Sequence, residues 1–213
     1  MKAAVAVSER LATRRKEILD AAKKVFEAHG FAAATMEAVA EEARIAKGSI
    51  YNYFKSKHEL FRAVFLEDMP KSYADAEAEL DCQGSAPDKI QKILDLWYSQ
   101  LHERTRMGKL ILEFWATAAR GEQDDLAEDF GATYSHWRTK IAAVIEEGVA
   151  SGDFQPQVQS RAASSLILAV FDGIMLQALL DARMTVDESF VAGLKKAVMA
   201  GLTSPREERL LGC

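Results

Sequence analysis

A short stretch of the chain, residues 35–57, collects side chains that suit contact with a nucleic acid. Its sequence is TMEAVAEEARIAKGSIYNYFKSK. Lysines neutralise phosphate charge, whereas hydroxyl and amide side chains hydrogen-bond phosphate oxygens or base edges. Glycine at the start of a helix allows the helix N-terminus to approach a groove closely. The candidate contacts with double-stranded DNA are Thr35, Lys47, Gly48, Ser49, Tyr51, Asn52, Tyr53, Lys55 and Lys57.

Two short helices joined by a tight turn are predicted to position these side chains. Thr35 is the expected N-cap of the first helix, because its hydroxyl can accept from otherwise unpaired amides. Residues 44–46 form the predicted turn, in which Ile45 fills the angle between the helices, and residues 47–54 form the second helix. The alternative is a solvated helical hairpin in which the aromatic residues at 51–54 serve as core.

The motif AKGSIYNYFKSKHEL, at residues 46–60, resembles the end of the DNA-binding domain in the TetR family of bacterial regulators. The preceding segment, RRKEILDAAKKVFEAHGFAAATMEAVAEEA, is similar to the first helices of that family, and the resemblance covers about residues 13–66. Two residues depart from the family pattern: Arg44, where a glycine is common, and Ala46, where a serine often caps the recognition helix. The residues in family register are Phe26, Gly30, Thr35, Ala40, Gly48, Tyr51, Tyr53, Phe54, Lys57 and Leu60.

The whole chain is predicted to be all-α, with about nine helices and no strand pattern. The resemblance implies an N-terminal three-helix helix-turn-helix domain at residues 1–57 and a C-terminal helical domain for ligand binding and dimerisation at residues 58–213. A helix at residues 56–80 links them and begins with a capping box at residues 56–59. Pro70 is expected to kink or end that helix, because proline lacks an amide donor.

The charge of the chain is divided unevenly between these two regions. The 213 residues carry a formal net charge of −5, yet residues 1–57 hold 11 basic and 7 acidic residues, whereas the remainder holds 16 and 25. A basic head on an acidic body is the asymmetry expected when one end approaches phosphate. The acidic body would also be repelled from DNA, which helps to orient the molecule.

Cysteine usage and apolar segments indicate the environment of the protein. Cys82 and Cys213 are far apart and form neither a disulfide framework nor a zinc-binding spacing, which favours a reducing cytoplasm. The N-terminus is too weakly apolar for a secretion signal. Residues 164–180 form the most apolar window, but polar residues interrupt it, and it falls short of the roughly 20 apolar residues that span a bilayer. The prediction is a soluble, cytoplasmic protein that uses no membrane, metal or cofactor.

The last two helices, within residues 156–202, are predicted to form the interface of a homodimer. The helix at residues 156–184 is apolar nearly all round, so it needs partners on two sides. A symmetric dimer supplies the second partner, and its two recognition helices would reach successive turns of a palindromic operator. The alternative is a monomeric helical core.

Large aromatic and methionine side chains in the C-terminal region could line a pocket for an apolar or aromatic ligand. The TetR resemblance implies such a pocket, although an aromatic stripe at helical spacing is also typical of core. Asp172 stands in an apolar run, where a carboxylate needs a partner; the expected ones are Arg161, Arg183, a cationic ligand or the dimer mate. Gln177, Glu113 and His102 are further polar candidates. The predicted pocket residues are Trp97, Met107, Phe114, Trp115, Tyr134, Trp137, Phe171, Asp172 and Met175.

Together these features predict a ligand-responsive transcriptional regulator. By the resemblance it is a repressor that binds its operator as a homodimer and is released when a small effector draws the body into a second arrangement. One alternative is a helical small-molecule-binding protein without DNA-binding function. The other is an enzyme, but the chain has no phosphate loop, no nucleophile elbow and no pair of histidines at metal-binding spacing.

Overall fold

The computed structural model describes residues 2–101, 108–121, 124–181 and 183–203, with side chains for all of these but 2–8, 68–73, 109 and 124. The described residues form nine α-helices and no β-strand, so the predicted all-α fold class is confirmed. The helices are α1 Lys2–Ala33, α2 Met36–Glu42, α3 Lys47–Ile50, α4 Lys57–Asp81, α5 Ala86–Ser99, α6 Gly108–Ala119, α7 Asp124–Ser151, α8 Ser160–Leu180 and α9 Glu188–Leu202.

The chain divides into two compact units. The N-terminal unit comprises Met1–Ser72 and Lys109–Glu128, and the C-terminal unit comprises Tyr73–Gly108 and Asp129–Cys213. The chain passes from one unit to the other within α4, α6 and α7, so neither unit is one continuous stretch. A boundary after residue 57 would instead give two continuous domains, whereas the structure groups most of α6 with the first helices of the chain.

The turn between α2 and α3 closes around a residue in the left-handed region. Arg44 has a φ of +54°. The Ile45 amide donates to the Ala40 carbonyl at 2.9 Å, and the Arg44 amide donates to the Glu41 carbonyl at 3.0 Å, which is the pattern of a Schellman motif. Glycine is preferred at this position because it has no Cβ to strain. Arg44 therefore adopts the glycine-like conformation that the turn requires.

The second helix of the predicted pair is shorter than expected. α3 has four residues and is followed by turns rather than continuing to residue 54. Ala46 is its N-cap and offers no side-chain acceptor to the first amides, which removes one support for a longer helix. Ile50 is fully buried, whereas Ile45 is only half-buried. Ile50, and not Ile45, is therefore the apolar residue that fills the angle between α2 and α3.

α4 continues through Pro70, so the predicted possibility that this residue ends the helix is wrong. A proline inside a helix removes one intrahelical hydrogen bond. Burial on both sides of Pro70 offsets that loss. In the N-terminal unit the helix buries Phe61 and Phe65, and in the C-terminal unit it buries Ala76 and Leu80.

The core of the C-terminal unit joins α5, α7 and α8. Trp97 of α5 contacts the Trp137 ring of α7 edge-on, with centroids 5.7 Å apart, and the Phe171 ring of α8 at 5.1 Å. All three side chains are buried. α5 itself begins at a defined cap, because the Ser85 hydroxyl accepts from the Asp88 amide at 3.3 Å.

Close packing in this unit also depends on a glycine in α7. A Cβ added to Gly148 would overlap the Phe154 ring and would lie 2.8 Å from the Ala86 Cβ. Phe154 is buried, and its amide donates to the Gly148 carbonyl at 2.9 Å. The absence of a side chain at Gly148 thus lets α5 and the segment after α7 approach α7 closely.

Among the described helices, α8 is long and apolar enough to cross a membrane by length and composition alone. It has 21 residues and a mean hydropathy of 1.8 in its most apolar window, which corrects the prediction that this segment falls short. One third of that window is buried within the chain. Leu166 and Leu180 are 63% and 73% exposed. α8 therefore leaves an apolar surface that the described part of the chain does not cover.

The packing at Gly148 predicts opposite outcomes for two substitutions in α7. Gly148→Ala should destabilise the protein by about 2 kcal/mol, because the added methyl overpacks the contact with Phe154 and Ala86. Gly131→Ala is the matched control, because nothing lies within 4 Å of its added Cβ; it should stabilise the protein by up to about 1 kcal/mol through helix propensity. Chemical denaturation measures both, and equal effects would contradict the packing described.

Candidate nucleic-acid interface and effector site

Apart from Thr35, which precedes α2, the predicted DNA contacts lie on α3, between α3 and α4, and at the start of α4. Six of them are exposed to solvent in the chain: Thr35, Lys47, Gly48, Tyr51, Asn52 and Lys55. Tyr51 is 40% exposed, whereas Ser49 and Tyr53 are half-buried. No side chain or backbone atom lies within 4 Å of a Cβ added to Gly48, so the start of α3 is open. These residues form a surface with hydroxyl, amide and ammonium groups.

Thr35 has the capping role that the sequence predicts. Its hydroxyl accepts from the Ala38 amide at 3.1 Å, and Thr35 itself has the extended backbone of an N-cap residue. This bond fixes the start of α2, whose Met36, Val39 and Ala40 are buried. Thr35 thus stabilises the first helix of the helix-turn-helix at its N-terminus.

Lys47 carries an ion pair at the base of the recognition helix. Its Nζ lies 2.5 Å from the Glu37 carboxylate, which belongs to α2. The hydrogen bond with Glu37 raises the pKa of Lys47, and the same bond lowers the pKa of Glu37. Lys47 therefore stays charged at neutral pH. Both side chains are largely exposed, so a phosphate can compete for the lysine at little cost.

Lys57 has a different role from the phosphate contact that was predicted. Its Nζ donates to three backbone carbonyls that follow the break in α1 at Gly30: Phe31 at 2.7 Å, Ala32 at 3.1 Å and Ala34 at 2.9 Å. It also lies 4.5 Å from the centroid of the Phe31 ring. An ammonium has three donors, and all three are used here. Lys57 is therefore a positioning residue that holds the chain entering α2.

The start of α4 combines two caps. The Ser56 hydroxyl accepts from the Glu59 amide at 3.0 Å, as predicted. The Glu59 carboxylate accepts from the Lys55 amide at 2.6 Å, so it reaches one residue further back than in a standard capping box. The Lys55 ammonium donates to the Tyr51 carbonyl at 3.0 Å. Because this hydrogen bond is exposed, the Lys55 ammonium can exchange it for a contact with a phosphate.

The last part of α1, after its break at Gly30, is also held by Glu113 of α6, within the N-terminal unit. The Phe31 amide donates to the Glu113 carboxylate at 2.5 Å. Gly30, immediately before it, has φ +75° and ψ 165°, a region that essentially only glycine adopts. A Cβ on Gly30 would lie 2.7 Å from the same carboxylate. Glu113, predicted as a polar group of the ligand pocket, instead binds the backbone of the head.

Phe114 likewise belongs to a packed aromatic core and not to a pocket in this structure. The Phe61 ring contacts Phe114 at 4.0 Å, Phe31 at 4.3 Å and Phe26 at 5.1 Å between centroids. Phe114 also contacts Phe65 at 5.0 Å and is 1% exposed. All of these residues lie in the N-terminal unit. Phe114 therefore serves the core beneath the helix-turn-helix, and its neighbour Trp115 is half-buried.

The other described pocket residues come together in the C-terminal unit. Trp97, Trp137 and Phe171 form the aromatic contacts given above. Met175 is also buried and lies four residues after Phe171 on α8. Asp172 has a partner that sequence reasoning missed: the Tyr134 hydroxyl donates to its carboxylate at 2.7 Å. Met107 and His102 lie outside the described residues.

Tyr98, next to Trp97, is one of the large aromatic side chains of the C-terminal region, although it is not among the predicted pocket residues named above. It is 6% exposed, and its hydroxyl has no hydrogen-bond partner among the described residues. Burial raises the pKa of Tyr98 to about 12, so the hydroxyl stays protonated at neutral pH. Its ring contacts Phe171 at 5.8 Å. No signal in the sequence distinguished Tyr98 from the core aromatic residues beside it.

Tyr98 lines a cleft of about 760 Å³ in the C-terminal unit. The walls are α5, the end of α8, the segment before α9 and α9 itself, and we name it the α5–α9 cleft. None of the predicted pocket residues that the structure describes lines it. Its charged and hydroxyl-bearing residues are Asp95, Tyr98, Ser99, Asp187, Glu188 and Lys195.

The short helix α3, set by a left-handed turn against the capped helix α2 and exposing hydroxyl, amide and ammonium groups, defines a helix-turn-helix DNA-binding protein. Two family profiles match the chain. The profile for bacterial regulatory proteins of the tetR family matches residues 18–64, and that for the C-terminal part of BetI-type transcriptional repressors matches residues 86–202. The chain belongs to the TetR family of transcriptional regulators, as its sequence motifs predicted.

Individual proteins are similar along most of the chain. The HTH-type transcriptional regulator UidR of Escherichia coli (strain K12) is 24% identical over 191 residues, which cover 89% of this chain and 93% of UidR. A protein from Saccharomonospora viridis, solved in complex with choline, has a TM-score of 0.80 at 17% identity and covers 91% of this chain and 100% of its own. FadR of Bacillus subtilis, solved with stearoyl-CoA, has a TM-score of 0.65 at 20% identity, with coverages of 86% and 95%. These two structures support the fold alone.

The three carbonyl contacts of Lys57 predict a large stability effect for a lysine near the DNA surface. Lys57→Met should lower the free energy of unfolding by about 2 kcal/mol, because it leaves partly buried carbonyls without their charged donor. Lys55→Met is the matched control: its ammonium bonds one exposed carbonyl, so the loss should stay below about 0.5 kcal/mol. Denaturant unfolding of the two variants is the measurement, and similar losses would refute the positioning role.

The contact between Gly30 and Glu113 predicts coupled substitutions. Gly30→Ala should destabilise the protein by about 2–3 kcal/mol, from its backbone conformation and from the clash with the carboxylate. In a Glu113→Ala background the clash is gone, so Gly30→Ala should cost about 1 kcal/mol less. A double-mutant cycle in chemical denaturation measures this coupling. Strict additivity would mean that the carboxylate does not press on residue 30.

Proposed function

We propose that this TetR-family regulator is a ligand-responsive repressor, which binds a palindromic operator as a homodimer and releases it when a small effector binds the helical body. The observation that supports the proposal is the exposed surface at α3. The capped helix α2 and the turn at Arg44 hold this surface in a helix-turn-helix. A protein that had lost DNA-binding function would have no need to keep Lys47, Asn52 and Lys55 exposed together with the turn that sets them.

The residues at the recognition helix divide by the chemistry of their side chains. Ser49 and Asn52 carry groups that can hydrogen-bond base edges in the major groove, so we assign them sequence readout. Lys47, Tyr51, Tyr53 and Lys55 suit phosphate oxygens and would set affinity and register. Gly48 leaves room for the backbone to approach. Thr35 and Lys57 act indirectly, by holding α2 in place.

The homodimer is proposed to form through α8 and α9. Leu166 and Leu180 of α8 are exposed, and Leu202 is the one residue of α9 that is buried within the chain. A second copy would cover these faces by a twofold arrangement, in which the same patch is used on both protomers. Such a dimer presents its two recognition helices about 34–36 Å apart, which is one turn of DNA. Cover by a second copy also accounts for the hydropathy of α8 without a membrane.

The effector is proposed to bind in the C-terminal unit. Choline and stearoyl-CoA, which occupy two structural neighbours, differ so much in size and charge that neither is carried over to this chain. The predicted pocket residues Trp97, Trp137 and Phe171 are packed together in the structure. An effector that reaches them must therefore favour a second packing, which is the physical basis of a switch. Shifting a balance from mostly bound to mostly released takes about 5.5 kcal/mol of differential affinity.

The proposed regulator is cytoplasmic and has no catalytic function. Its relatives are named as transcriptional regulators, and a DNA-binding protein of this kind works where the chromosome is. Among the described residues, no three His, Cys, Asp or Glu side chains lie close enough to hold a metal ion. The alternative, a helical small-molecule-binding protein without DNA-binding function, predicts that no duplex is bound specifically.

Two substitutions test the proposal by fluorescence anisotropy on duplexes from the region upstream of the gene. Asn52→Ala should cut discrimination between the operator and a point-mutated half-site by about five- to a hundredfold, because a base contact is lost. Tyr51→Phe should weaken binding to all duplexes by a similar factor, because a phosphate contact carries no sequence information. Gly131→Ala, far from α3 in sequence and exposed, is the control. Failure of the unsubstituted protein to bind any of these duplexes specifically would favour the alternative.

A further inference from the structure

The α5–α9 cleft has the dimensions of a small-molecule site. Its volume of about 760 Å³ falls within the range typical of ligand pockets, which is roughly 300–1,000 Å³. One part of its lining is apolar and includes Leu101, Met184 and Val191. The other part carries charges from α5 and from the N-terminal turn of α9. We propose that this cleft binds an organic amine, in which a protonated nitrogen is attached to an apolar body.

The hydroxyl of Tyr98 is the first observation that points to a ligand. It is buried at the wall of the cleft and has no hydrogen-bond partner among the described residues. A buried hydroxyl without a partner is costly and uncommon in folded proteins. The oxygen can accept from an amine N–H, or the proton can be donated to a ligand oxygen. A ligand in the cleft would therefore satisfy a group that the protein leaves unsatisfied.

The balance of charge selects an amine over a carboxylate. Lys195, the one basic residue of the lining, has its Nζ 2.6 and 2.7 Å from the two carboxylate oxygens of Asp95, so each neutralises the other. Asp187 caps α9 by accepting from the Phe190 amide. Glu188 has no ion pair or hydrogen bond within the described residues. The lining thus has three carboxylates against one ammonium, an excess of two negative charges, which attracts a cation and repels an anion.

The cleft is connected to the aromatic cluster that was predicted as the pocket. The Tyr98 ring contacts Phe171 at 5.8 Å, and Phe171 contacts Trp97 at 5.1 Å. A ligand that binds the Tyr98 hydroxyl therefore contacts the residue whose ring packs on Phe171, and through Phe171 it can affect Trp97. α9, the opposite wall, is part of the proposed dimer interface. Binding in the cleft can bias both the aromatic packing and the position of α9; this role as effector site rests on the function proposed above.

The binding test needs no DNA and uses three probes of one shape: phenylbutylamine, phenylbutanol and phenylbutyrate. Isothermal titration of the full-length protein should give affinities in that order, with the amine about tenfold tighter than the carboxylate, a difference of about 1.4 kcal/mol. Glu188→Gln should weaken amine binding several-fold and leave alcohol binding unchanged. Tyr98→Phe should weaken binding of both. Glu128→Gln, an exposed acidic residue of α7 outside the cleft, is the control and should change neither.

Several results would overturn the proposal. Carboxylate binding as tight as amine binding, no binding of the amine, or an unchanged amine affinity in Glu188→Gln would each exclude a cation site here. Tyr98→Phe that raises stability but leaves every affinity unchanged would remove the hydroxyl from the site.

The effector role is tested separately, by adding saturating phenylbutylamine to the operator complex. Loss of operator affinity supports the role, and an unchanged affinity excludes it. If the protein binds no operator at all, the proposed function fails, whereas the DNA-free titration still decides whether the cleft is an amine site.

Discussion

The N-terminal unit depends on how one short backbone segment is held. Residues 30–34 leave α1 through a glycine-only conformation and lead to the Thr35 cap of α2. The Lys57 ammonium donates to three carbonyls of this segment, while the Glu113 carboxylate accepts from an amide of the same segment. Charged hydrogen bonds are stronger than neutral ones. Two residues of opposite charge therefore fix the backbone on which the orientation of the helix-turn-helix depends.

Apolar packing reinforces the same place. Phe31 follows Gly30 and is in ring contact with Phe61 of α4, which in turn contacts Phe114 of α6. Glu113 and Phe114 are neighbours on α6, so one helix supplies both the carboxylate and the aromatic contact. A displacement of α6 would act on the backbone of residues 30–34 through both. Within the N-terminal unit, α6 thus helps to set the backbone that leads to α2, although the exposed surface residues themselves lie on α3.

Sequence reasoning succeeded where the determining interactions are local. The caps at Thr35 and Ser56 join residues three apart. The motif around α3 is contiguous in the sequence, so its residues could be assigned to positions of the helix-turn-helix directly. It failed where the partner is distant along the chain. Lys57 was assigned to phosphate because a lysine near a recognition helix suggests that role, yet its acceptors lie 23 to 26 residues away. Glu113 and Phe114 were assigned to a pocket because they fall in the body by position, and Tyr134 was not foreseen as the partner of Asp172. Periodicity identifies buried faces but does not say which face meets which.

The discontinuous N-terminal unit has a consequence for synthesis of the protein. Glu113 and Phe114 are translated some eighty residues after Gly30 and Phe31. While the ribosome is still adding the intervening residues, the nascent head has its three helices but lacks the carboxylate and the ring that complete it. The packed core of this region is therefore completed only after α6 emerges, and a fragment cut shortly after α4 would retain the recognition motif without the contacts of Glu113 and Phe114.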